Sequence, residues 1–317
     1  MNRLLLKLAA TALIAAAPAA AQQAAAPSPW VVDPATLSSR FGSDDQRGNA
    51  NLLSPEVVKR ALTLVREGRV ISLAVPLSRD TPAYGWRRFE VIVAQNEGTG
   101  HSNNEDIVTA PINTGTQIDG LAHMGVDGHF FGGRKGADIQ AVSGLKKDGI
   151  ENAPPIVTRG VLLDIAGLKG TERLPIGYVV TPADIEAAMK RQGIAAIDAG
   201  DVVIFHTGHR TLLRNGDTKT FLSGQPGPGI AAAEWLAGRQ VVAVGGDSGS
   251  MEAMPHERTG LLFPVHQLLL AKHGIYILEN IATERLAEAG WSEFLFVAAP
   301  LPMVGASSSW INPVAIR

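Results

Sequence analysis

The sequence contains no cysteine among its 317 residues. This absence excludes disulfide bonds, thiolate metal ligands and a cysteine nucleophile, and it is compatible with an oxidising, exported compartment. The sequence also lacks an excess of charge of either sign, because the formal net charge at pH 7 is only −2. A nearly neutral chain gives no electrostatic reason to expect binding to nucleic acid or to an anionic membrane surface. We therefore expect a small-molecule substrate.

Internal repeats and long apolar runs are missing as well. No repeat or low-complexity linker interrupts residues 40–317, which favours one domain. The hydrophobic content of 45% supports a sizeable core in a chain of this length. The first apolar run, residues 8–17, is shorter than the roughly 20 residues of a membrane-spanning helix, and no later segment reads as transmembrane.

The first 21 residues have the layout of a secretory signal peptide. Arg3 and Lys7 precede the apolar run, which is followed by a triplet of small alanines. We expect cleavage after Ala21, export to the periplasm and no stable membrane insertion after processing. Residues 22–39 are then predicted to form a leader before the folded domain, residues 40–317.

The domain carries both helix and strand patterns. Ser54 and Pro55 begin a predicted amphipathic helix that stops at Gly68. Thr181 begins a second capped helix, which stops near Gly193. Strands are predicted at residues 70–75, 160–166, 201–208, 241–247 and 275–279, and a further helix at residues 261–273. The strand from residue 201 is apolar on both faces, which indicates a central position in the sheet.

Residues 80–110 contain many turn-forming and polar residues, and we predict a long loop there. Long loops in compact domains tend to be functional or mobile. Trp86 and Phe89 lie in this segment. One hypothesis is that they wall a substrate pocket, and the alternative is that they only cover the core.

The densest group of polar side chains lies in residues 111–123, which read PINTGTQIDGLAH. If residues 117–119 are extended, the two-residue period of a strand places Gln117 and Asp119 on one face. Their oxygen atoms and the nitrogen of His123 form a ligand mixture that suits zinc, manganese or iron(II) better than copper(I). The alternative from spacing alone is a polar turn bonded to the local backbone.

These residues resemble the signature of the cyclase family of metal-dependent hydrolases, H-x-G-T-H-x-D-x-P-x-H, a family that includes bacterial kynurenine formamidase and isatin hydrolase. The matching positions are Gly115, Thr116, Asp119 and His123. The positions that differ are Asn113 and Gln117, in place of two His, and Leu121, in place of Pro. Longer family members often read G-T-Q, so Gln117 is similar to a variant ligand. The loss of two imidazoles favours one metal ion over two.

The resemblance covers residues 40–317 and implies a fold and a ligand set. The implied fold is α/β: a single-domain, cyclase-like (swivelling β/β/α) fold with a mixed central sheet flanked by helices. Residues 200–208 are similar to the family's central strand. Downstream, a His and a Glu resemble the pair that completes the family's metal site. The implied ligands of one divalent ion, zinc or manganese, are Gln117, Asp119, His266 and Glu279, with His123 as a further ligand or as the catalytic base.

The residues themselves also favour a cation near Glu279. The period of the strand at residues 275–279 places Glu279 on an apparently buried side. A buried carboxylate without a cation or a hydrogen-bond partner costs several kcal/mol. A metal ion would remove that cost.

The activity implied by the resemblance is hydrolysis of an amide, a cyclic amide or a lactone. A divalent ion lowers the pKa of water from about 15.7 toward about 7 and polarises a carbonyl. His123 would take the proton of the water and deliver it to the leaving group, a role in which imidazole is efficient near neutral pH. Members of the family commonly bury apolar edges in dimers, so the resemblance also implies a homo-oligomer.

Other polar groups leave alternatives open. His209 follows the central strand, and Gly208 frees its approach to a substrate. Glu252 and His256 form a second polar cluster and a rival site. Ser248 lies in a sequence that approaches the G-x-S-x-G elbow of a serine hydrolase. A further alternative is an exported small-molecule binding protein with this fold and little activity, which the replacement at Asn113 encourages.

Overall fold

The computed structural model describes residues 29–98 and 100–317. The predicted signal peptide, its cleavage site and residues 22–28 of the predicted leader lie outside the described residues. The rest of the leader packs on the domain, since Val32 and Leu37 are 5% and 6% exposed within a hydrophobic cluster. The folded domain therefore begins before residue 40, because the core covers these two apolar side chains.

The described residues form thirteen strands, nine of them in one mixed sheet. The strands are β1 (Val70–Ser72), β2 (Glu90–Gly98), β3 (His101–Thr109), β4 (Gln117–Asp119), β5 (Ile156–Asp164), β6 (Val179–Val180), β7 (Val202–His206), β8 (Gly227–Pro228), β9 (Ala243–Gly246), β10 (Tyr276–Glu279), β11 (Glu293–Ala298), β12 (Ser308–Trp310) and β13 (Val314–Ile316). The order in the large sheet is β1-β13-β11-β5-β7-β9-β10-β4-β12. Its centre, from β5 to β10, is parallel, and the flanking pairs are antiparallel.

Helices flank this sheet and complete a mixed α/β fold, as expected from the sequence. They are α1 (Pro55–Leu62), α2 (Gly136–Ile139), α3 (Ile165–Leu168), α4 (Pro182–Gln192), α5 (Thr211–Arg214), α6 (Thr218–Phe221), α7 (Ile230–Gly238), α8 (Pro264–His266) and α9 (Glu284–Ala289). Within the described part of the chain, every helix is too short or too polar to cross a bilayer.

Both predicted helix starts are confirmed, and each has a local cause. The Ser54 hydroxyl accepts a hydrogen bond from the Val57 backbone N–H at the start of α1. Thr181 and Asp184 form a reciprocal capping box at the start of α4, which ends at Gly193 with φ of 71°. The first helix ends at Leu62, earlier than the glycine signal predicts.

The core lies on both faces of the sheet, as the sequence of its central strand predicts. Along β7, Val203 and Phe205 belong to one hydrophobic cluster, and Val202 and Ile204 belong to the other. Successive side chains of a strand point to opposite faces, so a strand covered on both sides must be apolar throughout. This rigid, fully covered centre supports the site described below.

The prediction of a long loop at residues 80–110 is wrong for most of the segment. Residues 90–98 and 101–109 form two paired strands, β2 and β3, in a hairpin that is separate from the large sheet. The signal is present in the sequence, because residues 91–93 are all β-branched, and Val91 and Ile92 face Val108 and Ile107 across the pair. Gly100, with φ of 84°, provides a left-handed residue near the reversal.

The helical segment predicted at residues 261–273 begins later and changes type. Phe263 adopts φ of 47°, so regular helix starts only at Pro264. After His266 the chain continues as a π-helix, Gln267–Lys272. His266, the last residue of α8, lies in this segment between the core residues Val265 and Leu268.

Candidate metal centre

Asp119 and Glu279 meet because they lie on neighbouring strands of the large sheet. In the antiparallel register of β4 and β10, Glu279 stands opposite Gln117 and Ile277 stands opposite Asp119. Cross-strand partners share a face, and so do residues two apart along a strand. The side chains of Gln117, Asp119 and Glu279 therefore leave the sheet on the same side, while Ile118 packs into the core on the other.

His266 joins these carboxylates from the last residue of α8. Ligand atoms of Asp119, His266 and Glu279 all lie within 4.8 Å of one another. The three residues are 0%, 2% and 4% exposed. Two carboxylates and one imidazole at this spacing form a nitrogen and oxygen donor set that suits one zinc or manganese ion.

Glu252 holds His266 in place from behind. One oxygen of its carboxylate, Oε1, lies 2.5 Å from His266 Nδ1 and accepts the His266 backbone N–H at 3.1 Å. The other oxygen accepts the Val265 backbone N–H at 3.2 Å. Glu252 therefore caps α8 and fixes the imidazole ring, so that Nε2 faces Glu279 Oε1 at 3.4 Å.

One oxygen of Asp119 receives three hydrogen bonds, and the other receives none. Oδ1 accepts from Asn113 Nδ2 at 2.9 Å, Gln117 Nε2 at 3.1 Å and the Ser308 hydroxyl at 3.0 Å. Among the described residues, neither Asp119 Oδ2 nor Gln117 Oε1 has a hydrogen-bond partner, although both atoms are buried. Buried acceptors without a donor are rare and costly. A cation beside Asp119 would satisfy its Oδ2 atom.

The electrostatics of the cluster also fit a cation. Burial, reinforced by the negative charge of Asp119, raises the pKa of Glu279 to about 8. Burial opposes the charged form of His266, but its hydrogen bonds to Glu252 and Glu279 outweigh burial and raise its pKa to about 10. The carboxylates therefore retain a proton on His266 where no other positive charge is present, and a divalent ion would replace that charge.

His123 lies beside the cluster, between it and solvent. Its Nε2 is 3.9 Å from Asp119 Oδ1, and its side chain is 18% exposed. Its Nδ1 is 3.2 Å from the Ser308 hydroxyl oxygen, which itself donates to Asp119 Oδ1. With the Ser308 proton on that bond, His123 Nδ1 is the donor to Ser308 and Nε2 carries a free lone pair. Burial lowers the pKa of His123, although Asp119 opposes this shift, which favours the neutral ring.

A cavity of about 360 Å³ opens directly onto the cluster. Its walls include His123, His266, Glu279 and Asn113 on the side of the metal ligands. The remaining walls are formed mainly by Tyr84, Arg87, Met124, Met254 and Phe263. A cavity of this size suits a small organic molecule.

The structure does not bring the other predicted substrate residues to this cavity. Trp86 is 82% exposed, and Phe89 is buried against the Trp310 ring, with 6.0 Å between the ring centroids. His209 is fully buried, stacks on Phe221 and approaches the Phe221 carbonyl through Nε2 at 3.1 Å. We therefore leave these three residues out of the site, since Tyr84 and Arg87, from the same segment as Trp86, line the cavity instead.

The positions of Glu252 and Ser248 argue against the two alternative sites. The Glu252 cluster is not a separate site, because Glu252 contacts His266. Ser248 is 1% exposed, and its neighbour Asp247 accepts from the Thr207 backbone and hydroxyl. Within residues 29–98 and 100–317, no histidine hydrogen-bonds to the Ser248 hydroxyl. A serine nucleophile needs a base within that reach.

Three contributors to the site were missed from the sequence: the supporting role of Glu252, Ser308 and Arg87. Glu252 and His266 lie on segments whose approach depends on long-range packing, which local periodicity does not encode. Ser308 could have been found only through strand pairing, because it stands opposite Asp119 in the register of β12 and β4.

Comparison with the curated proteins gives no match to the chain, whereas a family model does match. The family model described as "Putative cyclase" matches residues 71–253. A crystal structure described as a novel cyclase is 30% identical to the chain, with a TM-score of 0.80. The match covers 89% of this chain and all of that one.

Two more distant structures share the fold. Isatin hydrolase A from Ralstonia solanacearum is 24% identical, with a TM-score of 0.62, and the match covers 78% of this chain and 92% of that one. A predicted metal-dependent hydrolase from Bacillus stearothermophilus is 21% identical, with a TM-score of 0.52, and the match covers 78% of this chain and 97% of that one.

Proposed function

Since the chain belongs to the putative cyclase family, we propose that it is a metal-dependent hydrolase that cleaves an amide, a cyclic amide or a lactone. The observation that carries this proposal is the buried cluster of Asp119, His266 and Glu279, with ligand atoms within 4.8 Å of one another. Beside it, Asp119 Oδ2 and Gln117 Oε1 are buried acceptors that no described residue satisfies. The names of the isatin hydrolase and metal-dependent hydrolase structures support the same reading.

Asp119, His266 and Glu279 would hold one zinc or manganese ion. Gln117 is a further candidate ligand, but its Nε2 now faces both carboxylates, at 3.1 Å from Asp119 and 2.8 Å from Glu279. It would have to turn its amide over to offer its oxygen instead. In the present orientation, the Gln117 amide instead links the two carboxylates by donating a hydrogen bond to each.

A bound divalent cation supplies Lewis acidity, which polarises a carbonyl and lowers the pKa of water. The chain supplies the proton transfers. His123 Nε2, with its free lone pair, takes the proton of the attacking water and returns it to the leaving nitrogen or oxygen. Ser308 keeps the His123 ring oriented through Nδ1, at 3.2 Å. The apolar walls formed by Met124, Met254 and Phe263 hold the substrate body and exclude bulk water.

The test is hydrolysis by protein freed of metal with a chelator and then resupplied with Mn²⁺ or Zn²⁺. The substrates are N-formyl amides, isatin-like lactams and lactones. We expect turnover of at least one class, its loss with the chelator and its return with the metal. Asp119→Asn should stay inactive after metal is added, whereas Ser248→Ala, the control, should keep its activity.

Two outcomes would contradict this proposal. Turnover that resists the chelator and is lost in Ser248→Ala would identify a serine hydrolase. Stoichiometric binding of a substrate without turnover, in metal-replete protein, would identify a binding protein.

We also propose, from the sequence alone, that the protein is exported to the periplasm after cleavage near Ala21. A small-molecule substrate, without nucleic acid, fits both the neutral charge balance and the enclosed cavity. A homo-oligomer is the third proposal, and the exposed hairpin of β2 and β3 supports it.

A further inference from the structure

The wall of the catalytic cavity carries a positive charge that the proposed hydrolysis does not use. Among the described residues that line the cavity, Arg87 is the only lysine or arginine. It is partly buried, on the segment just before β2. We propose that Arg87 binds a carboxylate of the substrate, so that the enzyme acts on small amides or lactones that carry a carboxylate beside an apolar body. This inference rests on the proposed function and names its substrate class.

The guanidinium of Arg87 is almost unused within the protein. Its one hydrogen bond to a described residue is from Nη1 to the Asn113 carbonyl oxygen, at 3.4 Å. It forms no salt bridge with any carboxylate in residues 29–98 or 100–317. A guanidinium has five N–H donors in a planar fork that matches a carboxylate. Most of these donors are therefore available to a ligand.

Two other partly buried arginines of this protein are paired with carboxylates, unlike Arg87. Arg159 forms salt bridges with Asp198, Asp201 and Glu293. Arg134 contacts both carboxylate oxygens of Asp148 and three backbone carbonyls. An arginine that is partly desolvated without an anion carries a cost that these two avoid.

The nearby carboxylates do not serve as the missing partner. Asp119 and Glu279 carry two negative charges, which one divalent ion balances. Glu252 lies behind His266 and already accepts from its ring and from two backbone N–H groups. Once the ion is bound, Arg87 is the charge on the cavity wall without a counter-ion at salt-bridge distance.

Arg87 is also connected to the reacting centre. It donates to the Asn113 carbonyl oxygen, and the Asn113 side chain donates to Asp119 Oδ1 at 2.9 Å. A carboxylate held by Arg87 would therefore lie in the same cavity as the metal ligands. Other parts of the cavity wall, formed by Met124, Met254 and Phe263, are thioether and aromatic surfaces that suit an apolar or aromatic body.

The first test compares Arg87→Met with a matched control, Arg88→Met, in Mn²⁺-loaded protein. Arg88 is the next residue along the chain, is exposed and does not line the cavity. The substrates are a pair of aryl amides that differ only in a ring carboxylate. In Arg87→Met, kcat/KM for the carboxylate substrate should fall roughly 10- to 100-fold, as expected for loss of hydrogen bonds to a charged group, while kcat/KM for the neutral substrate stays unchanged.

For the carboxylate substrate, kcat/KM of Arg87→Lys should lie between the values of the wild type and Arg87→Met. Lysine keeps the positive charge but loses the planar pair of donors that a guanidinium offers to a carboxylate. Arg88→Met should match the wild type on both substrates. An equal fall for the carboxylate and neutral substrates in Arg87→Met, or no fall for either, would overturn the proposal.

The second test measures benzoate and benzamide binding by calorimetry, which needs no turnover. The wild type should bind benzoate more tightly than benzamide, and Arg87→Met should lose that preference. If the wild type hydrolyses neither aryl amide but shows this preference, the proposed function fails and the role of Arg87 stands. If benzoate binds Arg87→Met as tightly as the wild type, its carboxylate is held elsewhere and the proposal is overturned.

Discussion

Glu252 shows how a single buried acid can serve both a helix and a reactive centre. Its two oxygens accept the backbone N–H groups of Val265 and His266, which are unpaired donors at the start of α8. One of these oxygens also contacts His266 Nδ1 at 2.5 Å. The carboxylate that caps the start of the helix therefore also fixes the ring that faces Asp119 and Glu279.

Glu252→Gln should weaken metal binding without abolishing folding. The amide keeps the size of the side chain but presents an NH2 group to one of the donors it now accepts from. Loss of a residue that orients a metal ligand typically lowers metal affinity about 10- to 100-fold. The measurement is the dissociation constant for Mn²⁺ from a competition titration.

The matched control for this prediction is Glu257→Gln. Glu257 also caps a helix, α7, by accepting the Ile230 backbone N–H at 2.7 Å, but it is exposed and does not contact His266. Its Mn²⁺ affinity should equal that of the wild type. An unchanged affinity in Glu257→Gln and in Glu252→Gln alike would show that Glu252 does not position His266.

Among single residues, the sequence analysis identified Asp119, His266 and Glu279 but not the residues that support them. Gln117 and Asp119 were placed on one face by the period of a strand, and Glu279 by the cost of burying a carboxylate. Asn113 was interpreted as a lost ligand, and the structure shows it donating to Asp119. No local pattern relates Arg87 to the cavity, because that relation depends on how the hairpin segment packs.

The proposed metal ligands lie on short elements of secondary structure. β4 has only three residues, yet it lies between β10 and β12 and presents Gln117 and Asp119 to both neighbours. Helix starts with capping side chains were predictable, because their hydrogen bonds are local. The late start at Pro264 was not, because it follows from the left-handed conformation of Phe263 next to the core.

The hairpin of β2 and β3 is exposed along almost its whole length, on both of its faces. Ile92 and Ile107 face each other across the pair, and each is 56% exposed. An isolated two-stranded hairpin is marginally stable in water. We propose that a second copy of this chain covers it, because such a contact would remove these apolar side chains from water.

Ile92→Asp should shift the oligomer toward monomers. A buried apolar contact at an interface would be replaced by a charge, which raises the dissociation constant roughly tenfold or more. Sedimentation over a range of protein concentrations measures this change. Val142→Asp, at a fully exposed apolar residue outside the hairpin, should leave the oligomer unchanged. A wild type that sediments only as a monomer would contradict the proposal.

At the scale of the whole molecule, the resemblance to the cyclase family predicted the fold class, and the structure confirms it. The order of the strands was not predicted. β4 pairs with β10 and β12, which are far from it in the sequence. Such pairings depend on long-range packing, which periodicity does not encode. The site is assembled by these distant pairings, so its geometry became visible only in the folded chain.

We propose above that Asp119, His266 and Glu279 share one divalent cation. The most direct test is elemental analysis of purified protein after equilibrium with equal Zn²⁺ and Mn²⁺ and removal of free ions. It compares the wild type with Asp119→Asn and with Asp217→Asn, whose carboxylate caps α6 by accepting the Thr220 backbone N–H at 3.0 Å. We predict one ion per chain in the wild type and in Asp217→Asn, and none in Asp119→Asn. A wild type without metal, or an Asp119→Asn protein that keeps its full share, would contradict the account.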